Sequence, residues 1–371
     1  MAELIIRPQV IQQNILNLSE YLKAQNLEWT LIVKILSGNK EALEKILDPA
    51  YPETTQNLHS IGDSRLTGLK IVKEINPELQ TMYIKPPAIE LAEEIVQYAD
   101  ISLNTSWKTI QALDKAAGKI GVLHKVLVMI ELGELREGIL GENLLKFYEK
   151  IFALDHVKVI GIGTNLGCLN GVEPTRDKLI QLSLYKQLIE ASFQKKVDLV
   201  SGGTSITLPL VEQQRIPKGV NHFRIGEAAF MGISPLDQQP FQNLDTNAFE
   251  FDAHLLEIEE KEGTPDGIIG EGSIGYGPES VQVQDLAPGE KSTRALVDFG
   301  LIDADPGDLV CQDPAVHLVG STSDMTVYDL ADNQSRPQAD RYQVGQTLRF
   351  TPSYMGVARL MGSKFVDLLI E

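Results

Sequence analysis

The chain has 371 residues, 43% of them apolar, enough for two domains of ordinary size or for a barrel with an appended unit. Its 51 acidic residues outnumber 33 basic ones and leave a net charge of −18 with no Lys/Arg-rich cluster, which argues against nucleic acid or an anionic membrane as partner and for a small-molecule substrate. The N-terminus MAELIIRPQ lacks the features of a signal peptide, no apolar run approaches membrane-spanning length, and Cys168 and Cys311 have no metal or redox spacing, so a cytoplasmic protein without a disulfide framework is expected.

Along the chain, short runs rich in Ile, Val and Leu alternate with longer stretches of helical periodicity. A first amphipathic stretch carries Ile11, Ile15, Leu18 and Leu22, and TLIVKI follows from Thr30. Next come LHSIGDS from Leu58, TMYIKP from Thr81 and ISLNTS from Ile101, then a helix that starts after a Ser106 cap and carries Ile110, Leu113 and Ala117. KVLVMIEL from Lys125, VKVIGIGTN from Val157, VDLVSGGTS from Val197 and VNHFRIGEA from Val220 complete eight strand candidates. Strands buried on both faces and linked by helices imply a parallel sheet. Eight such units over about 235 residues predict a closed (βα)8 TIM-type barrel, with an open doubly wound sheet as the alternative.

Chemistry in such barrels sits at the C-terminal ends of the strands. Lys34 ends the first run, where an amine in an apolar setting loses its proton readily and becomes a nucleophile toward aldehydes; the other reading is a lysine that carries its charge into solvent. At the seventh and eighth strand ends, GGTS (Thr204, Ser205) and RIGE (Arg224, Gly226) supply small residues, backbone N–H groups and hydroxyls, a composition suited to cradling phosphate. An amine and a phosphate cradle together suggest pyridoxal phosphate, with Arg224 as the partner of its ring nitrogen. Because arginine keeps its proton, the ring would stay largely unprotonated, which favours brief Cα carbanions and reprotonation.

The motifs VKILSG, GDSRL, MIELGELREGI, GIGTNLGCLNG, SGGTS and NHFRIGEA, continued by GSTSDMTVYDL and YQVGQTLRFTPSYMG, resemble those of the alanine racemase superfamily, and most closely its ornithine racemase-like branch. The resemblance covers nearly the whole chain. It implies a pyridoxal phosphate-binding barrel over residues 1–237, a C-terminal β-rich domain over 238–371, and a homodimer whose C-terminal domains complete the partner's site. It further implies that Lys34 is the Schiff-base lysine and a base on one face of the substrate, and that Arg136 holds the cofactor's phenolic oxygen and the substrate carboxylate. Asn165 takes the place of a ring-side histidine, Thr204, Ser205 and Gly226 belong to the phosphate site, and Tyr354 reaches the phosphate.

Two departures stand out. Gly38 occupies the place of a phosphate-binding tyrosine, and ALVDFGLIDADPGD carries Phe299 and Gly300 where alanine racemases have their second catalytic base. Tyr276, in the Gly-flanked GSIGYGP, is taken as that base, with Asp303 and Asp324 as alternatives; Asp324 is also taken as a substrate contact. Glu131, Glu134, Glu137 and Asp303 suggest a basic substrate such as ornithine or lysine by charge complementarity. No metal is expected, since His317 stands alone near the C-terminus. The expected activity is amino-acid racemisation. The alternatives are a non-catalytic pyridoxal phosphate-binding or homeostasis protein, which the long C-terminal part counts against, and an amino-acid decarboxylase, whose C-terminal Cys-Asp pair is replaced by Cys311-Gln312.

Overall fold

The computed structural model describes residues 1–263, 265–268, 275 and 291–371. These pack as two units, Pro8–Thr246 and a second formed by Met1–Arg7 together with Asn247–Glu371. The packing therefore differs from a division at 237/238 with the N-terminus in the barrel. Strand β1 (Glu3–Ile6) is the reason: Leu4 pairs with Phe251 on one side and with Leu368 on the other, so the first residues are hydrogen-bonded into the second unit.

In the first unit α1 (Pro8–Ala24) precedes eight strands, β2 (Glu28–Ile32), β3 (Ser60–Asp63), β4 (Thr81–Tyr83), β5 (Ile101–Asn104), β6 (His124–Met129), β7 (Val157–Gly163), β8 (Leu199–Thr204) and β9 (His222–Ile225). They pair in sequence order and close into a barrel, with β9 pairing back on β2. All eight pairings are parallel. Each strand overlaps one of the eight expected segments, β2 beginning two residues and β6 one residue before the expected start, because strands covered on both faces carry mainly apolar or small residues.

Helices α2 (Lys40–Ile46), α3 (Leu66–Ile75), α4 (Ala92–Tyr98), α5 (Trp107–Ile120), α6 (Leu144–Ile151), α7 (Arg176–Phe193), α8 (Leu208–Glu212) and α9 (Glu227–Met231) follow the strands in turn. Helix α1 buries Ile11, Ile15, Leu18 and Leu22, one face at near-helical period, each side chain contributing about 1.5–3 kcal/mol when fully buried. Helix α5 begins at Ser106, whose Oγ accepts the Thr109 N–H, and stops at Gly121 in the left-handed region (φ 70°); Ser106→Ala removes a cap worth about 1 kcal/mol.

One side of the barrel interior is apolar, with Met82, Ile101, Leu103, Leu127, Met129 and Leu199 in one cluster. The remainder is unusually polar: Thr30, Ser60, Ser201, His222 and Arg224 are all buried. Such groups are tolerated only when paired, so their hydrogen bonds help to define the interior.

The second unit is a mainly antiparallel sheet, its β1–β16 pair being parallel, in which β10 (Phe249–Glu262) lies between β11 (Lys291–Val297) and β15 (Thr347–Pro352). Strands β12 (Leu309–Cys311), β13 (His317–Ser321) and β14 (Thr326–Asp329) extend it, α10 (Tyr354–Leu360) follows β15, and β16 (Asp367–Ile370) pairs with β1. Its core is aromatic: Phe299 is fully buried, with ring centroids 5.3 Å from Phe251 and 5.8 Å from Phe350. Among the described residues no helix is long and apolar enough to cross a membrane.

Candidate active site

Strand β2 ends at Ile32, and Lys34 opens a single 3-10 turn, Lys34–Leu36. The Val33 N–H donates to Gly62 O (2.9 Å), which fixes the turn against β3. Lys34 is exposed, which corrects the expectation of an amine in an apolar setting. Its surroundings are acidic instead. Burial pushes the Asp63 carboxyl up to about 6, against the N–H groups of Arg65 and Ser64 and the charges of Arg65 and Lys34. Burial also raises Glu227, again opposed by Lys34. Asp63 is 2% exposed, and its Oδ1 accepts the Arg65 N–H at 2.9 Å. A methyl group on Gly68 would lie 2.2 Å from its other oxygen, so α3 approaches this carboxylate only because residue 68 is glycine.

Arg136, Asn165 and Arg224 are brought together by Glu137, which the sequence suggested only as one of the charges favouring a basic substrate. The Arg136 Nε and Nη2 donate to Glu137, the second at 2.7 Å, and the Asn165 amide also donates to Glu137. On the other side, Arg224 Nη2 donates to Asn165 Oδ1 (2.5 Å) and to Thr164 O (2.8 Å), while Nη1 donates to Ser201 Oγ. Arg224 is 3% exposed; burial pulls its pKa down to about 10, Arg136 adds to the fall, and Glu137 opposes it. It is therefore a charged guanidinium at neutral pH. Burial works against ionisation of Glu137, yet the Arg136 guanidinium and the Asn165 amide hold its carboxyl below the usual range.

The Gly-rich end of β8 turns through Ser205–Thr207 into α8. Thr204 pairs in register with Arg224, and Ser205 Oγ accepts the Ala228 N–H at 3.2 Å, so this turn and the start of α9 lie side by side. Gly203 has φ 137°, and a methyl there would stand 2.4 Å from Thr207 Oγ1; at Gly226 a methyl would meet Ile32 O at 3.0 Å. The Thr207 hydroxyl is fully buried and has no hydrogen-bond partner among the described residues. Close backbone approach, two hydroxyls and a buried hydroxyl without a partner make a donor set that suits a phosphate ester.

The expected acidic rim is otherwise employed. Glu134 is 2% exposed, and its carboxylate accepts the N–H groups of Gly167 (3.0 Å), Cys168 (2.8 Å), Leu169, Asn170 (2.9 Å) and Val172 (3.2 Å). Burial alone would raise its pKa, but the amides of the loop outweigh that and hold it at about 2. Glu131 accepts the Gly133 N–H, Glu137 is engaged as above, and Asp303 in the second unit accepts from Gly300 N (3.2 Å) and Ser363 Oγ (2.8 Å). Glu134, Glu137 and Asp303 are thus committed within the fold, which removes the charge-complementarity argument for them. Phe299 is a core residue. Asp324 is exposed in the β13–β14 turn, where Ser323 Oγ donates to it at 3.0 Å, and Tyr354 is the first residue of α10, partly buried. Tyr276 lies outside the described residues. No group of three or more His, Cys, Asp or Glu side chains is placed to hold a metal ion among the described residues.

The sequence model of the alanine racemase N-terminal domain matches residues 6–235. The chain belongs to that family. The ornithine racemase of Acetoanaerobium sticklandii is 28% identical over 338 residues that cover 91% of this chain and 90% of that protein. The lysine racemase of Thermotoga maritima is 27% identical over 370 residues, 99% and 98% of the two chains. Among solved structures, the alanine racemase of Corynebacterium glutamicum (TM-score 0.71, 16% identity) and that of Bartonella henselae with covalently bound pyridoxal phosphate (0.71, 15%) each align over 100% of this chain and 99% of theirs. At that identity they establish the alanine racemase fold.

Proposed function

We propose that the protein is a pyridoxal phosphate-dependent racemase of a basic amino acid such as ornithine or lysine. The observation that carries the reading lies in the barrel of an alanine racemase family member, at the ends of adjoining strands. There the amine-bearing turn after β2, a buried cationic Arg224 on β9 and a Gly-rich hydroxyl turn after β8 converge. That donor set fits pyridoxal phosphate, with Lys34 for the aldehyde, Thr204, Ser205, Thr207 and Gly226 for the phosphate, and Arg224 for the ring nitrogen. The substrate class is supported by the names of the two relatives that align over most of this chain.

Bound there, pyridoxal phosphate supplies an aldehyde for an amine and an electron-withdrawing ring that acidifies the Cα–H of an attached amino acid. Arg224 donates hydrogen bonds while keeping its proton, because even at about 10 its pKa lies well above neutrality. The Lys34 amine takes and returns the Cα proton on one face, and the nearby Asp63 and Glu227 carboxyls shape the field around it. Arg136, half-exposed and turned by Glu137, offers a guanidinium for the substrate carboxylate. Asn165 links these two arginines through Glu137, so carboxylate recognition and the ring-side guanidinium belong to one hydrogen-bonded unit. Tyr276 is assigned as the proton donor of the opposite face, an assignment supported by the commitment of Phe299 to the core and of Asp303 to Gly300 and Ser363. The assembly proposed is a homodimer in which Tyr276, Tyr354 and Asp324 complete the partner's site.

The test is to add pyridoxal phosphate to the apoprotein and follow visible absorption together with the chirality of L-ornithine and L-lysine. Parent protein is expected to gain the absorption and to produce the D-enantiomer of one of them, and Lys34→Ala to do neither. Equal racemisation by Lys34→Ala would overturn the proposal.

A further inference from the structure

A chain of hydrogen bonds descends from Arg224 through the barrel to its opposite end. Arg224 Nη1 donates to Ser201 Oγ, which lies 2.9 Å from His222 Nδ1. His222 Nε2 is 2.9 Å from Thr30 Oγ1, Thr30 Oγ1 is 2.7 Å from Ser60 Oγ, and Ser60 Oγ is 3.2 Å from His59 Nδ1. Thr30, Ser201 and His222 are wholly buried. The strand register builds the chain, since Ser201 pairs with His222, Thr30 with Arg224 and Thr30 with Ser60, while period-two alternation places His222 and Arg224 on the same face of β9.

The polarity of this chain follows from its first member. A guanidinium can only donate, so Ser201 Oγ must accept from it, and the hydroxyl's own proton then needs another acceptor. Among the described residues the only one within reach is His222 Nδ1. With Nδ1 accepting, His222 carries its proton on Nε2 and donates to Thr30, whose own proton can go on to Ser60 or to Met82 Sδ at 3.9 Å. The reverse polarity would have His222 Nδ1–H donate to Ser201 and would leave the fully buried Ser201 proton without an acceptor, a costly arrangement. A neutral ring is required, and burial, with the Arg224 guanidinium nearby, lowers the His222 pKa well below its ordinary value.

We infer that His222 is a positioning residue for Arg224: its Nδ1 accepts the hydrogen bond of the Ser201 hydroxyl and so leaves the Ser201 oxygen to accept from the guanidinium that the functional reading places on the cofactor's ring. The inference rests on that reading for its consequence, but not for the polarity of the chain. Arg224 keeps Thr164 O and Asn165 Oδ1 when Ser201 is lost, so the effect is partial. His222→Phe, which preserves the ring and removes the acceptor, is expected to weaken pyridoxal phosphate binding about tenfold, the equivalent of one hydrogen bond to a charged group. His222→Asn, whose Oδ1 stands near the position of Nδ1, restores most of that affinity.

The experiment has two arms on the full chain. In the first, nitrogen-15 NMR of histidine-labelled apoprotein is expected to show His222 protonated at Nε2 and bare at Nδ1; a proton on Nδ1 overturns the inference even if every variant fails to fold. In the second, pyridoxal phosphate is titrated into the parent, His222→Phe, Ser201→Ala and the double variant. His222→Phe should cost nothing further once Ser201 is alanine, because it acts through that hydroxyl. Equal and additive losses in both backgrounds would overturn it. A parent that shows the expected tautomer but binds no pyridoxal phosphate would refute the functional reading, and with it the cofactor role of His222, while the polarity of the chain would stand.

Discussion

Replacing Glu134 by glutamine should release the loop 167–172 while leaving the barrel intact. The carboxylate accepts five backbone N–H groups from this loop, and the Asn170 side-chain amide donates to Glu134 O at 2.7 Å. An amide side chain keeps one acceptor oxygen but turns an NH2 group toward donors that need an acceptor. With Oε1 kept as the acceptor, the bonds from Gly167 and Val172 are the two lost, and at about 1.5–2 kcal/mol for each hydrogen bond to a charged group the loss is about 3–4 kcal/mol. That is a large share of a typical folding stability, yet it falls on one segment, so local opening is expected before global unfolding. Hydrogen exchange should accelerate by about a thousandfold at Cys168, Leu169 and Asn170, with little change in the buried strand β6. Racemase turnover should fall as well, since Asn165 stands at the head of the same loop. The pH dependence follows from the sign of the shift: a carboxyl held at about 2 in the folded chain stabilises it above the unfolded value of about 4.3, and that contribution is lost as pH falls toward 2. Loop protection in the parent should therefore stay constant from pH 7 to about 4.5 and decay only below. Unchanged exchange at residues 168–170 in Glu134→Gln would refute the reasoning.

Asp63 should behave in the opposite sense. A rise from 3.8 to about 6 corresponds to about 3 kcal/mol, and because the folded state binds more protons than the unfolded one across that interval, the parent should lose stability as pH rises from about 4 to 6. Asp63→Asn, which can still accept the Arg65 N–H, should flatten that fall in chemical denaturation; an identical slope would contradict the assignment. Gly203→Ala places a methyl 2.4 Å from Thr207 Oγ1 at φ 137°, a strain of about 1–3 kcal/mol, and should weaken pyridoxal phosphate binding more than it lowers the melting temperature of the apoprotein. Tyr276→Phe should spare the visible absorption and slow turnover more in one direction than in the other; equal rates in variant and parent would exclude Tyr276 as the second base.

The barrel was legible because parallel strands buried on both faces are written as short apolar runs, and the turn residues that follow them, GDSR, GGTS and RIGE, are where side chains and backbone converge. Strand β1 was not legible. Four residues, ELII, carry no local sign that their partners are Phe251 and Leu368. Lys34 was rightly placed at a strand end, but the step from β2 into a 3-10 turn, which leaves it exposed, depends on how Val33 docks on Gly62. Glu134 read as a rim charge because its ligands are backbone amides, which every sequence possesses and none announces. The same holds for Glu137, whose role exists only because Asn165 and Arg136 arrive from different loops. His222 carried a weak signal, the alternation His-Phe-Arg on one strand, yet its meaning required the register that brings Ser201 and Thr30 alongside. Phe299 stood in a segment aligned with a catalytic position and proved to be part of an aromatic core, a distinction that burial alone could make.

The most direct test of the racemase reading is to incubate the pyridoxal phosphate-loaded protein with single enantiomers of ornithine, lysine, arginine, serine and alanine in heavy water, following chirality and deuterium at Cα together. Inversion accompanied by deuterium uptake, strongest for ornithine or lysine and absent in Lys34→Ala, is the predicted result. Deuterium uptake without inversion would contradict the second base, and no uptake from any of the five would contradict the assignment as a racemase of these amino acids.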